Sequence, residues 1–230
     1  MGRVTIGVDI GQQRDPTAIV VTEAIRRELT PARWEMPADR RMVTGSDVRM
    51  VGAKVETVFE VRAMERLALG TPYPGVAERV VEVARNLHDR HRTVAESLYL
   101  TLVVDVTGVG RPVVDLLADA LRGVPCRLVA ATFTHGDRLT GKLTDREVSV
   151  GKAFLVSRLQ SLFQTDRLKM PAEHPEAEPM LRELMDYEIR VDADANDRYG
   201  AFRVGTHDDL VTALGLAVIA DPPGQQVFAV

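Results

Sequence analysis

The chain has 230 residues, 45% of them apolar and 27% charged, which is the balance of an ordinary globular protein with one substantial core. A formal net charge of −4 and a pI near 5.8 argue against a protein that grips nucleic acid over its whole surface, so any phosphate contact has to be local. The single cysteine, Cys126, rules out an internal disulfide and points to a reducing compartment, and no apolar run approaches the ~20 residues that cross a bilayer, so a soluble, intracellular, non-secreted protein is expected.

In chain order, VTIGVDIG from Val4 to Gly11 is β-branched and apolar, and TAIVVTEA from Thr17 to Ala24 repeats that character after a polar turn. Two adjacent strands are expected. From Ile25 to Lys54 the chain is polar, rich in Arg and weakly periodic, and reads as a long loop or an irregular hairpin. The run from Lys54 to Ala68 contains an alternating segment suited to a strand, and TPYPG, Thr71 to Gly75, punctuates it. Val76, Val80, Val83, Ala84 and Leu87 then recur at helical spacing and predict an amphipathic helix ending near His88.

SLYLTLVVDVTGVG, Ser97 to Gly110, is nearly continuous apolar sequence that stops at a carboxylate and a glycine turn, as a buried central strand does. A helix from Pro112 to Leu121 and a strand from Cys126 to Phe133 follow, a spacing that implies a parallel pair with Cys126 as an inert buried thiol. His135 to Ser149 reads as a loop or hairpin, Val150 to Gln164 as an amphipathic helix, and Glu178 to Tyr187 as another. Asp192 to Gly200 is expected as a polar turn, Ala201 to Val204 as a short strand, and Asp208 to Ala220 as a helix whose acidic pair suits its positive end. Residues 1–220 are read as one α/β domain with an insertion at 25–54, and 221–230 as a tail.

Carboxylates stand at the edges of three apolar elements: Asp9 in the first strand, Asp105 at the end of the buried strand, and Asp208 and Asp209 at the start of the last helix. One such residue is usually a helix cap or half of a buried ion pair. A set of them, with no Arg or Lys close by in sequence, would repel itself unless compensated, and oxygen-preferring divalent cations, Mg²⁺ or Mn²⁺, are the simplest compensation. Two ions about 3.5–4 Å apart would serve phosphodiester hydrolysis, with Asp9 as the bridging ligand, Asp105 on one ion and Asp209 or Asp208 on the other. Asp15 either joins as an auxiliary ligand through water or is only the turn residue before Pro16. His207 either ligates or simply flanks the helix. Arg138, Lys142, Arg146, Lys152 and Arg158 form a local basic group for phosphate contact, with solvated surface charge as the plainer reading. The string GDRLTGKL, Gly136 to Leu143, fails as a nucleotide-binding P-loop because Leu143 stands where Ser or Thr binds Mg²⁺.

Taken in order, GVDIGQQRDPTAI, LALGTPYPGVAERVVEVA, LVVDVTGVGRPVVDLL, VGKAFLVSRLQSLFQTDRLKM and THDDLVTALGLAV resemble the nuclease domain of tailed-bacteriophage large terminases, over nearly the whole chain. That resemblance implies a ribonuclease H-like fold with a mixed central sheet flanked by helices. It also implies two divalent ions on Asp9, Asp105 and Asp209, with Asp208 and Asp15 auxiliary, and cleavage of concatemeric viral double-stranded DNA in the cytoplasm of an infected bacterium. Its partners would be an ATPase motor domain or subunit, a small terminase and a portal, with no membrane involved; no Walker A motif is present to supply the motor itself. A resolvase-like nuclease for branched DNA shares the fold and the carboxylates. From another class, GVDIG also fits the phosphate loop of actin-like and sugar-kinase-like nucleotide-binding proteins, but no second such loop accompanies it.

Overall fold

The computed structural model describes residues 2–11, 15–31, 33–35, 49–52, 54–92, 98–186, 188–191, 197–200 and 208–219. Eight strands form one sheet: β1 (Gly2–Asp9), β2 (Ala18–Thr30), β5 (Lys54–Arg66), β6 (Leu98–Asp105), β7 (Cys126–Thr134), β8 (Leu139–Thr140), β9 (Glu147–Gly151) and β10 (Leu168–Lys169). Across the sheet they run β10-β5-β2-β1-β6-β7-β9-β8. The pairs β1–β6, β6–β7, β7–β9 and β5–β10 are parallel, whereas β1–β2, β2–β5 and β8–β9 are antiparallel, so the sheet is mixed.

Alternation along the strands separates two cores. Val4, Ile6 and Val8 of β1 with Leu100, Leu102 and Val104 of β6 face the helices α1 (Tyr73–Arg92) and α2 (Arg111–Ala120). On the other face, Val103, Val129, Ala131, Val148 and Val150 pack under α3 (Lys152–Gln164), α4 (Ala177–Asp186) and α5 (Asp209–Ala217). Helix α5 is buried along its whole length, as its almost unbroken apolar sequence requires, because such a helix has no face suited to water. It lies on β1 and β2. Among the described residues no helix is long and apolar enough to cross a membrane.

Several boundaries differ from the sequence reading for identifiable reasons. Strand β2 runs on to Thr30 and β5 starts at Lys54, and Thr30 pairs with Lys54, so the two ends of the 25–54 segment belong to an antiparallel ribbon. A further pair, β3 (Arg33–Glu35) and β4 (Arg49–Val51), lies within it. Beyond Ile25 most positions of β2 are exposed, which removes the apolar alternation that would have marked a strand. The helix expected from Val150 starts at Lys152, because Glu147–Gly151 belongs to the sheet. Asp197–Gly200, expected inside a polar turn, is a strand, β12, antiparallel to β11 (Glu188–Val191). The expected strand at 201–204, His207 and the tail at 221–230 lie outside the described residues. Cys126 is partly buried, and burial pushes its thiol up to about 12, so it is unreactive near neutrality.

Candidate metal centre

In the parallel pair of β1 and β6, Val8 lies opposite Val104, so Asp9 and Asp105 come side by side where both strands end. Both belong to the alternation that faces α5. Asp105 is fixed by the turn that follows it. Its Oδ1 accepts the backbone N–H of Thr107 at 2.8 Å, and Thr107 Oγ1 in turn accepts the N–H of Phe133 on β7, also at 2.8 Å. Gly108 allows that turn, with a φ of 85° that other side chains rarely adopt.

The start of α5 brings the acidic pair to the same place. Asp9, Asp15, Thr107, Asp208 and Asp209 line one cleft of about 450 Å³, and Asp105 stands next to it without lining it. Burial raises the Asp9 carboxyl well above the usual carboxylate range, and the charges of Asp105, Asp208 and Asp209 raise it further, against a smaller opposing pull from Lys152. Asp105 is also raised, first by burial; hydrogen bonds from Thr107 and the charge of Lys152 oppose this, and Asp208 adds to it. These mutual effects place the four carboxylates in one electrostatic neighbourhood.

Chemically the donors fit a divalent cation: all are hard oxygen ligands, Asp9 is partly buried, and like charges surround it. No three Asp, Glu, His or Cys side chains among the described residues are already closed around a common point, so an ion would have to draw them in. His207, which could add a nitrogen ligand, lies outside the described residues.

One feature was not visible in the sequence. Asp209 is only 2% exposed, and its Oδ2 accepts a hydrogen bond from Arg66 Nε at 3.1 Å. Arg66 ends β5, 143 residues away, so Asp209 has a cationic partner that lies far from it in the sequence. The same guanidinium pairs with Glu176, at 2.6 Å, and with Glu183 of α4. Glu183 Oε2 also accepts the N–H groups of Leu210 and Val211 at 3.0 and 3.2 Å, so it caps the first turn of α5 from a neighbouring helix. Burial raises the Glu183 carboxyl to about 7, with Asp209 adding to the shift and Arg66 and Val211 opposing it.

The basic residues divide into separate groups. Lys152, at the start of α3, stands 5.7 Å from the Phe133 ring and acts electrostatically on both Asp9 and Asp105. Arg138, Lys142 and Arg146 are exposed on the hairpin of β8 and β9 at the sheet edge. Arg158 stands apart from these and is partly buried. Its Nε donates to the carbonyl of Val218 and its guanidinium lies 5.5 Å from the Phe59 ring, so it anchors the end of α5 inside the fold. Thr22 supports that end as well, its hydroxyl donating to the Ala217 carbonyl at 2.8 Å.

No family model and no curated protein matches the chain. Among solved structures, it is similar to the large terminase nuclease from thermophilic phage G20c with bound cobalt, at 19% identity over 94% of this chain and 80% of that one, with a TM-score of 0.55. The nuclease domain of the large terminase subunit gp2 of bacterial virus Sf6 gives 13% identity, 96% and 89% coverage, and a TM-score of 0.54. A manganese-soaked human cytomegalovirus terminase nuclease domain gives 13%, 94% and 81%, and 0.51. At these identities the likeness is one of architecture, and the chain has the ribonuclease H-like fold of viral terminase nuclease domains.

Proposed function

We propose that the chain is a divalent-metal-dependent endonuclease domain that cuts concatemeric viral double-stranded DNA during genome packaging, with little sequence preference. The observation that carries this reading is the meeting of Asp9, Asp105, Asp208 and Asp209 at the ends of β1 and β6, from elements far apart in the chain. The structural neighbours agree with it: each is a terminase nuclease, and some hold cobalt, magnesium or manganese.

In this reading Asp9, Asp105 and Asp209 or Asp208 would hold the two ions, with Asp9 as the central ligand and Asp15 reaching the site through water. Two such cations, when bound, activate water on one side of a phosphodiester and stabilise the leaving oxygen on the other. Thr107 keeps the Asp105 carboxylate in one orientation through its backbone N–H. Lys152 lowers the local negative potential and, with Arg138, Lys142 and Arg146, holds the DNA backbone. The duplex would be delivered by a separate ATPase motor, with a small terminase and a portal, in the cytoplasm of an infected bacterium.

Supercoiled plasmid incubated with the chain and Mn²⁺ or Mg²⁺ tests this. Nicked, then linear, then degraded DNA is expected, with complete suppression by EDTA. Intact plasmid at every metal concentration would remove the nuclease reading.

A further inference from the structure

Arg66 faces three carboxylates at once: Asp209, Glu176 and Glu183. It sits at the end of β5, is 21% exposed, and its planar fork fixes the partners in direction as well as distance. Glu183 is held in turn by the backbone of α5, at Leu210 and Val211. Asp209 is therefore restrained twice, through the helix turn that Glu183 caps and through the Oδ2 that Arg66 engages.

This restraint limits how Asp209 can serve an ion. With Oδ2 engaged by Arg66, the carboxylate cannot swing to offer both oxygens equally, and it presents itself to the cleft in one orientation. Mg²⁺ demands near-ideal octahedral geometry with short bonds, whereas Ca²⁺ accepts six to eight ligands and bidentate carboxylates at longer distance. A fixed, single-oxygen carboxylate favours the first; a mobile one favours the second.

We propose that Arg66 is a positioning residue that sets the ion preference of the centre, holding Asp209 so that Mg²⁺ is selected over Ca²⁺. The inference rests on Asp209 being a ligand, as in the function proposed above. It gives Asp209 a fixed place in the acidic pair, beside Asp208, which lines the same cleft.

Binding of Mn²⁺ to the intact chain, followed by electron paramagnetic resonance of the free ion, gives a readout independent of cleavage. Mg²⁺ and Ca²⁺ are then titrated as competitors. Arg66→Lys, which keeps the charge and loses the fork, is expected to shift the Mg²⁺-to-Ca²⁺ preference about tenfold toward Ca²⁺. General damage to the fold would weaken both competitors alike and leave their ratio unmoved, and an unmoved ratio overturns the proposal. Should Arg66→Lys melt below the assay temperature, Glu183→Gln loosens the same clamp from the other side, with a shift of about threefold expected and no shift again decisive against it. A wild-type chain that binds no Mn²⁺ would defeat the nuclease reading itself, which a bound ion with an unchanged ratio would not.

Discussion

Gly7 of β1 lies directly beneath Ala213 of α5: a Cβ on Gly7 would stand 2.0 Å from the Ala213 carbonyl oxygen and 2.6 Å from the Ala217 nitrogen. The missing side chain lets the helix rest on the strand, and that close approach brings the Asp208–Asp209 end beside Asp9. Gly7→Ala must push the two apart. It is expected to destabilise the fold by about 3 kcal/mol, or roughly 10 °C in melting midpoint, and to weaken metal binding as well. An unchanged midpoint in a thermal melt would show that the helix does not lie there.

Asp9→Asn should raise metal-free stability while it abolishes cleavage. The folded pKa of Asp9 is above its unfolded value, so the native chain keeps a proton that the unfolded chain has already lost. Stability therefore falls as pH rises from the ordinary carboxylate value through the raised one, and stays low above it. Asparagine has no such penalty. A gain on the order of 1 kcal/mol, about 3 °C in EDTA at pH 7.5, is expected, with a cleavage rate at least ~100-fold lower. A lower midpoint in scanning calorimetry would mean that the Asp9 charge is already compensated.

Glu183→Gln gives a difference that depends on pH. Glu183 is raised from 4.5 to about 7, so between these values the native state binds more protons than the unfolded state and stability declines with rising pH. The amide lacks that slope but keeps an oxygen for the Leu210 and Val211 N–H groups. Relative to the wild type, the variant should gain in melting midpoint from pH 5 to pH 7.5. Parallel curves would show that Glu183 titrates as it does in the unfolded chain.

Arg158 and Arg138 should behave as opposites. Arg158→Gln removes a guanidinium from the Val218 carbonyl and the Phe59 ring, and is expected to cost about 1–3 kcal/mol of stability while leaving the salt dependence of DNA binding as it was. Arg138→Gln should leave the melt unchanged and reduce the slope of log affinity against log salt by about one. The reverse pattern in filter-binding titrations would return Arg158 to the DNA-contacting group.

The sequence carried the parts of the fold that depend on local apolar pattern. Strands β1 and β6 and helix α5 are legible because burial leaves almost no polar residue in them, α3 because its apolar residues recur at helical spacing, and Asp9 and Asp105 stand out against the apolar strands that carry them. The outer end of β2, from Arg26 to Thr30, is not legible, since a strand exposed on both faces needs no alternation. Nor is the Arg66 clamp. Arg66 ends a run in which charged residues alternate with apolar ones, and Glu183 sits in a helix whose charges look like any solvated face; only the three-dimensional crossing of β5, α4 and α5 gives them a shared task. Nor do the contacts of Arg158 with the Val218 carbonyl and the Phe59 ring show in the sequence, because both partners lie far from it along the chain.

The contact of β1 with α5 also governs when activity can arise during synthesis. Asp9 and Asp209 are 200 positions apart, so a ribosome has made nearly all of this sequence before the second exists. On the function proposed above, a half-translated product would hold Asp9 without Asp209, and nucleic acid would meet a competent cutter only after the polypeptide has closed upon itself.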